Sequence, residues 1–473
     1  MSLSFRHTKV TFTLGPATES TAVLRELIDE GVDVCRLNMA HASHDWTRMV
    51  IRRIKATCHE AGRQIAIMMD VKGPEIRTGD VEQPIALEKG SLLDLLCGEA
   101  VAAADGIPSV TVNYPNLDED VLVGETVLVD SGLIRMTVKA VDDGRVRCEV
   151  IIPGELTSRR HINLPGVKVK LPALTAKDIA DIAVGIEEGV DLFALSFVRE
   201  ADDLDLLRRH LTDNKSTARV IAKIEDQSGI SNIDEIIAAS DGVMVARGDL
   251  GIECPFEELP IIQRRIVSRC IQQKKPVIVA THMLESMIQS PLPTRAEVSD
   301  VANAVFEQAD SIMLSGETTT GKYPVECVRT MRRIAGCMEQ NAEASYNRAL
   351  PLRTPKDKML RSAVDLAQSL NNAGILVFTR RGNLAQTLSS LRPTRCPIYA
   401  FTDRSELFRR MLFLWGVEPF LLNFEEDHEV TIKRAFHALK KGQWVKPGDW
   451  LVVITNVIVS ERIIDTIQMR MVE

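Results

Sequence analysis

The sequence predicts an α/β fold: a (β/α)8 barrel, a small β-barrel lid inserted into it, and a C-terminal three-layer α/β domain. Three observations lead there. Strand-like and helix-like stretches alternate from the N-terminus, stop near residue 74 and resume at Thr175. Three strands before the break and five after it make eight, at the spacing of β/α units. A second α/β pattern begins beyond "LPLRTPKDK" at 350–358, which reads as a linker.

The elements follow in order. "KVTFTLG" is strand-like and ends at Gly15-Pro16. "TAVLRELIDEG" has apolar residues at 23, 24, 27 and 28 and a glycine stop at Gly31, the pattern of a helix. "DVCRLNM" and "QIAIMMD" are the next strands. Residues 74–170 carry short Val-, Gly- and Asp-rich runs such as "ETVLVD" and "RVRCEVII", read as an all-β insert with tight turns. The proline-punctuated "INLPGVKVKLPALT" is its return linker. A helix over 176–188 then precedes "LFALSF", "RVIAKIE", "GVMVAR", "PVIVAT" and "SIMLSG". Thr294 and Glu297 form a capping box that starts a helix over 295–308. After 346 come the strands "ILVFT", "PIYAF" and "WLVVIT", none followed by GxGxxG, so no dinucleotide site is expected. The domains are therefore 1–73 with 171–345 (barrel), 74–170 (lid) and 346–473 (C-terminal).

Bulk properties exclude several classes of function. A chain of 473 residues exceeds one ordinary core. A formal net charge of -8 argues against general nucleic-acid binding, so an anionic ligand needs locally placed cations or a metal. No apolar run reaches the ~18 residues of a membrane span. No signal peptide is visible, and nine scattered cysteines without a CxxC pair suit reduced thiols in a cytoplasmic protein.

Chemistry in such a barrel gathers at the C-terminal ends of the strands. Those ends carry Arg36 and Asn38 on the second strand, Asp70 on the third and Ser196 on the fourth. Lys223 and Glu225 end the fifth, Arg247 to Asp249 the sixth, Thr281 the seventh, and Ser315 and Glu317 the eighth. Arg36/Asn38 and Lys223/Glu225 are i, i+2 pairs, so each pair faces one side of its strand. Glu225 and Asp249 bring two carboxylates to neighbouring strands, a pattern suited to Mg²⁺ or Mn²⁺ with positions left for phosphate and water. Lys223 adds a fixed positive charge, and Arg36 is able to grip a phosphate. Cations beside a divalent metal are what phosphoryl transfer requires. A ring of structural salt bridges is the bland alternative for any single pair. "GETTTGKY" at 316–323 nearly matches a phosphate-binding loop, but Tyr323 and Pro324 oppose that reading. "HASH" places His41 and His44 three apart, read as loop histidines rather than a metal pair. "TRRGN" at 379–383 is a basic turn.

"TLGPAT", "CRLNMAH", "MDVKGPEIRTG", "NLPG", "AKIED", "MVARGDLG", "PTRAEVSDVANAV" and "MLSGET" together resemble the ordered motifs of the pyruvate kinase family. The resemblance implies phosphoryl transfer between phosphoenolpyruvate and ADP, giving pyruvate and ATP, by a homotetramer. It implies Lys223 as the phosphoryl-stabilising lysine, Arg36 on substrate phosphate, and Glu225 and Asp249 as Mg²⁺ or Mn²⁺ ligands. Thr281, with the backbone at Gly248 and Asp249, would hold the pyruvate end. Asn38, Asp70 and the carbonyl of Val71 match K⁺-binding positions; Asn38, His41, Arg77 and Arg160 fall on the nucleotide side.

Departures from the family pattern refine this. "NFSHG" reads "NMAHA", so Ala40 replaces a serine hydroxyl of the K⁺ site, and weakened K⁺ binding is expected although Glu75 is retained. Thr320 stands where a nucleotide-side lysine is common, with Lys322 nearby, and His282 replaces a usual Gln. "TRRGN" and "VIVSERIID" replace the effector loops of sugar-phosphate-activated members, which argues against activation by fructose 1,6-bisphosphate. The rivals are a metal-dependent aldolase on a related barrel and a catalytically weakened regulatory paralogue.

Overall fold

The computed structural model describes residues 5–40, 42–98, 100, 106–142, 144–341, 345–459 and 462–473. His41 and the centre of the "VIVSERIID" segment lie outside the described residues. Eight parallel strands close into a barrel. In chain order they are Lys9–Thr13, Val34–Asn38, Ala66–Val71, Leu192–Leu195, Arg219–Ile224, Gly242–Ala246, Val277–Ala280 and Ser311–Leu314. Adjacent strands in the sequence pair in space, and the eighth returns to the first through Lys9 opposite Ser311.

Alternation along each strand sorts the side chains. Val34, Met68, Leu192, Ile221, Met244 and Ile278 form an apolar plug inside the barrel. The residues between them, such as Cys35, Ile67, Phe193 and Val220, face the helices. Moving up the same inward rows reaches Arg36, Asp70, Ser196 and Lys223, two or four residues beyond plug positions. The lumen is therefore apolar through its middle layers and polar at the mouth.

The floor has a repeat of its own. Asp33, Asp191, Asp241 and Asp310 each precede an even-numbered barrel strand and accept the backbone N–H of Val10, Ile67, Val220 and Val277 on the odd strand before it. Arginines pair with each: Arg6 with Asp33, Arg409 with Asp191, Arg219 with Asp241 and Arg392 with Asp310. Arg392 and Arg409 come from the C-terminal part, which also inserts Phe413 into the plug. Arg392 and Asp310 are 1% and 2% exposed, so this pair is buried between the two parts.

The insert is a seven-stranded, mostly antiparallel sheet running from Ile76–Arg77 at one edge to Ser109–Val112 at the other. A bridge between Thr78 and Val112 brings these edges together and rounds the sheet toward a barrel, as expected for the lid. Its core of Leu93, Val127, Met136 and Val146 is separate from that of the main barrel. The C-terminal part is a five-stranded sheet, parallel except for the last strand, Arg462–Met471, with helices on its faces.

The helices start where their caps predict. Thr294 and Glu297 make the capping box of Arg295–Phe306, and Thr175 with Asp178 does the same for Ala176–Glu187. All nine cysteines are free, and seven are buried. Among the described residues no helix is long and apolar enough to cross a membrane.

Candidate active site

The site is assembled from the inward rows of neighbouring strands. Lys223 is 8% exposed, and its ammonium lies 2.9 Å from Glu225 Oε1, 3.1 Å from Asp70 Oδ1 and 2.6 Å from Ser196 Oγ. Arg36 donates from Nε to Asp70 Oδ2 at 2.6 Å and from Nη1 to Thr13 Oγ1 at 3.2 Å. Asp70 thus stands between the two cations and orients both.

The charges do not balance. Burial raises the Asp70 pKa, but Arg36 and Lys223 outweigh it and hold the carboxyl below its ordinary value. Burial works to lower the Lys223 pKa, yet Asp70 and Glu225 push it up, so the ammonium stays charged. Glu225 is raised, first by burial and then by Asp249 and Asp70, against the pull of Lys223. Three carboxylates, Asp70, Glu225 and Asp249, stand against two cations, and Asp249 and Asp70 both add negative charge at Glu225. That is where a divalent cation would be welcome. Among the described residues no group of three or more His, Cys, Asp or Glu is arranged around one metal position. Two carboxylates leave room for substrate oxygens and water, the arrangement Mg²⁺ favours.

The backbone is bent to present these groups. Phe197 has φ +53°, and its N–H donates to Glu225 Oε2 at 2.7 Å. Thr281 and His282 have φ +74° and +55°. A bulky or β-branched residue rarely adopts this region, and such outliers collect at functional sites. Arg247 holds the turn: it is buried and donates to the carbonyls of Ala280 and Thr281 and to Asp300. Gly248 is required by close approach, since a Cβ there would meet Thr281 Cγ2 at 2.9 Å. Gly248 and Asp249 lie in the first turn of the short helix Arg247–Glu253, where backbone N–H groups lack helical partners.

A sequence profile for "Pyruvate kinase, barrel domain" matches residues 5–328, and one for "Pyruvate kinase, alpha/beta domain" matches 357–468. A pyruvate kinase of Geobacillus stearothermophilus is 42% identical over 470 residues, covering 96% of this chain and 78% of that one. Plastidial pyruvate kinase 3 of Arabidopsis thaliana is 40% identical over 456 residues, covering 96% and 79%. The crystal structure of a pyruvate kinase from Cryptosporidium parvum superposes with a TM-score of 0.94 at 33% identity, covering 99% of this chain and 96% of that one. The chain belongs to the pyruvate kinase family.

Within this pyruvate kinase fold, the structure brings Arg36, Asp70, Ser196, Lys223 and Glu225 into one hydrogen-bonded cluster. The Asp249 charge is felt by both Lys223 and Glu225. Asn38 pairs with Asp70 across the sheet, but its Oδ1 accepts from Ala40 N–H at 3.2 Å. The Val71 carbonyl accepts from Ser196 Oγ at 2.8 Å. Arg77 and Arg160 sit on the lid; Arg77 pairs with Glu75 at 2.6 Å and Arg160 with Asp130 at 3.2 Å.

Two strand-end residues are not rim groups. Glu317 is fully buried and accepts the N–H groups of Leu284 and Ser315. Its carboxylate fills the turn where a phosphate would need open amides, so "GETTTGKY" is no phosphate cradle. Arg247 likewise braces a turn instead of facing the mouth. His44 is held by Asp181 at 2.8 Å. Sequence reasoning missed Thr13, Phe197 and Glu253. Thr13 was legible as one more inward position at a strand end; the positive φ of Phe197 leaves no trace in composition.

Proposed function

We propose that this chain transfers the phosphoryl group of phosphoenolpyruvate to ADP, giving pyruvate and ATP. The observation that carries the reading is the buried, charged Lys223 ammonium held by Asp70, Glu225 and Ser196 at the barrel mouth, with the Arg36 guanidinium on the same Asp70.

The residues divide the work. Arg36 and Lys223 present positive charge to the phosphoryl oxygens, and Asp70 fixes both in place before substrate arrives. Lys223 follows the group as the P–O bond to the enol oxygen breaks and the bond to the ADP oxygen forms. Glu225 and Asp249 would hold Mg²⁺ or Mn²⁺, which neutralises charge on carboxylate and phosphoryl oxygens when bound. The amides at Gly248 and Asp249, with the Thr281 hydroxyl, hold the carboxylate end. The enolate left behind takes a proton at carbon; Thr281 with a bound water delivers it. Arg77, Arg160, Asn38 and His41 serve the nucleotide, and the lid at 74–170 closes over the barrel mouth to exclude water.

Asn38, Asp70 and the Val71 carbonyl bind K⁺, weakly. Asp70 is occupied by two cations, the Val71 carbonyl by Ser196, and Ala40 offers no hydroxyl. The expected homotetramer would have the exposed Phe256 and Ile261, which follow the Asp249 helix, as apolar surface to cover; the cytoplasm is the expected location. The C-terminal cleft is set against fructose 1,6-bisphosphate: Arg380 is tied to Asp403 at 2.8 Å, and Glu425 and Glu426 line the wall.

The test is pyruvate formation from phosphoenolpyruvate and Mg²⁺, with and without ADP and K⁺. Pyruvate that appears only with ADP, and rises with K⁺ at elevated concentration, is expected. No turnover, or pyruvate released from a hydroxy-keto acid instead, would overturn the reading.

A further inference from the structure

Through one short strand, His161–Asn163, the lid touches the supports of both candidate metal carboxylates. The strand alternates. Ile162 is 2% exposed and points into the lid core, while His161 and Asn163 share the opposite face. That face looks into a cavity of about 60 Å³ between lid and barrel, lined also by Phe197, Gln227 and Glu253.

Each of the two residues reaches one carboxylate by a short route. The His161 ring packs edge-on against Phe197, with centroids 6.1 Å apart and planes at 61°. Phe197 is the residue with φ +53° whose N–H donates to Glu225. An edge contact from the lid therefore steadies a strained residue that aims a hydrogen bond at the first carboxylate. Asn163 donates from Nδ2 to Glu253 Oε1 at 2.8 Å, with both side chains buried. Glu253 is the last residue of Arg247–Glu253, whose first turn carries Asp249. The Glu253 carbonyl also accepts from Gln227 Nε2 at 2.6 Å, two residues beyond Glu225. Asn163 thus grips a junction between the two carboxylate-bearing segments. Its own Oδ1 is buried and without a partner among the described residues. An amide kept there at the cost of an unmet acceptor is held for its donor.

We infer that His161 and Asn163 are positioning residues for the divalent cation: the lid's last strand braces the backbone that presents Glu225 and the helix that presents Asp249. The inference rests on the proposed cation site at Glu225 and Asp249. It makes lid placement and cation affinity two readings of one equilibrium, because whatever seats His161–Asn163 also orders the carboxylates.

Mn²⁺ titrations of the full chain, followed by the electron paramagnetic resonance of the free ion without substrates, test this directly. Asn163→Ala should weaken Mn²⁺ binding about tenfold, as loss of an outer support of a metal ligand does. His161→Ala should weaken it by about threefold, and His161→Phe, which keeps an aromatic edge, should restore it. Ile162→Ala lies on the other face; it should lower the melting temperature of the lid and leave Mn²⁺ affinity alone. Unchanged affinity in both His161→Ala and Asn163→Ala, or equal weakening in all three alanine variants, overturns the inference while the cation site stands. Mn²⁺ binding that survives Glu225→Gln overturns the site itself, and the inference with it.

Discussion

Lys223 shows how much a single position owes to its row. It follows Ile221 on the inward face of the fifth strand, so it leaves the apolar plug and enters the mouth in one step of two residues. Replacing it by Met keeps the stem and removes the charge. Turnover should fall by about 10³-fold or more, while Mn²⁺ binding at Glu225 and Asp249 is kept; loss of both together would mean the ammonium only props the site. Glu253 makes a second residue-scale prediction. Burial, with Asp226 and Asp249, pushes its carboxyl from 4.5 up to about 7. The folded protein therefore holds this proton more tightly than the unfolded chain. The resulting stability is full below the unfolded value and is lost as pH rises toward 7. Glu253→Gln, which cannot ionise, should stabilise the protein by roughly 3 kcal/mol at pH 8 and by little at pH 4. Thermal melts at the two pH values read the difference. At the K⁺ position, Ala40→Ser returns the missing hydroxyl and should lower the K⁺ concentration for half-maximal activity several-fold; an unchanged K⁺ dependence would remove Ala40 from the site.

At the scale of elements, periodicity was the most readable signal. The eight barrel strands, the Thr294 capping box and the break at "KGPEIRTG" stood in the sequence because period-2 rows, caps and turns are local features. The strand ends were legible too, since inward rows at strand ends have nowhere to go but the mouth. What stayed hidden was nonlocal. Glu317 and Arg247 carry the same charges as the rim residues, yet each is consumed by backbone groups of a neighbouring turn. Nothing in a charged residue's type tells whether its partner will be a ligand or a carbonyl. The bridge from His161 and Asn163 to the metal segments is equally invisible, because it joins residues on the lid to others far along the chain. Capping is the element-scale test: Thr294→Ala removes the acceptor for Glu297 N–H and should cost about 1 kcal/mol of stability without touching turnover.

Across the whole molecule, the barrel has two charged ends with different tasks. The mouth sets its carboxylates for a divalent cation and its Arg36 and Lys223 for phosphate. The floor spends its four aspartates on strand N–H groups and arginines. Two of those arginines, with Phe413, fasten the C-terminal part to the barrel. Arg392→Met leaves Asp310 buried and unpaired, and breaking such a pair costs about 3–5 kcal/mol. Its melt should drop and split, with the C-terminal part separating before the barrel. The account as a whole stands on the cation site. Anomalous diffraction from crystals soaked with Mn²⁺ and phosphoenolpyruvate tests it most directly. The prediction is one strong peak between the carboxylates of Glu225 and Asp249, within reach of the Lys223-bound phosphoryl group; a peak elsewhere, with those carboxylates turned apart, would contradict it.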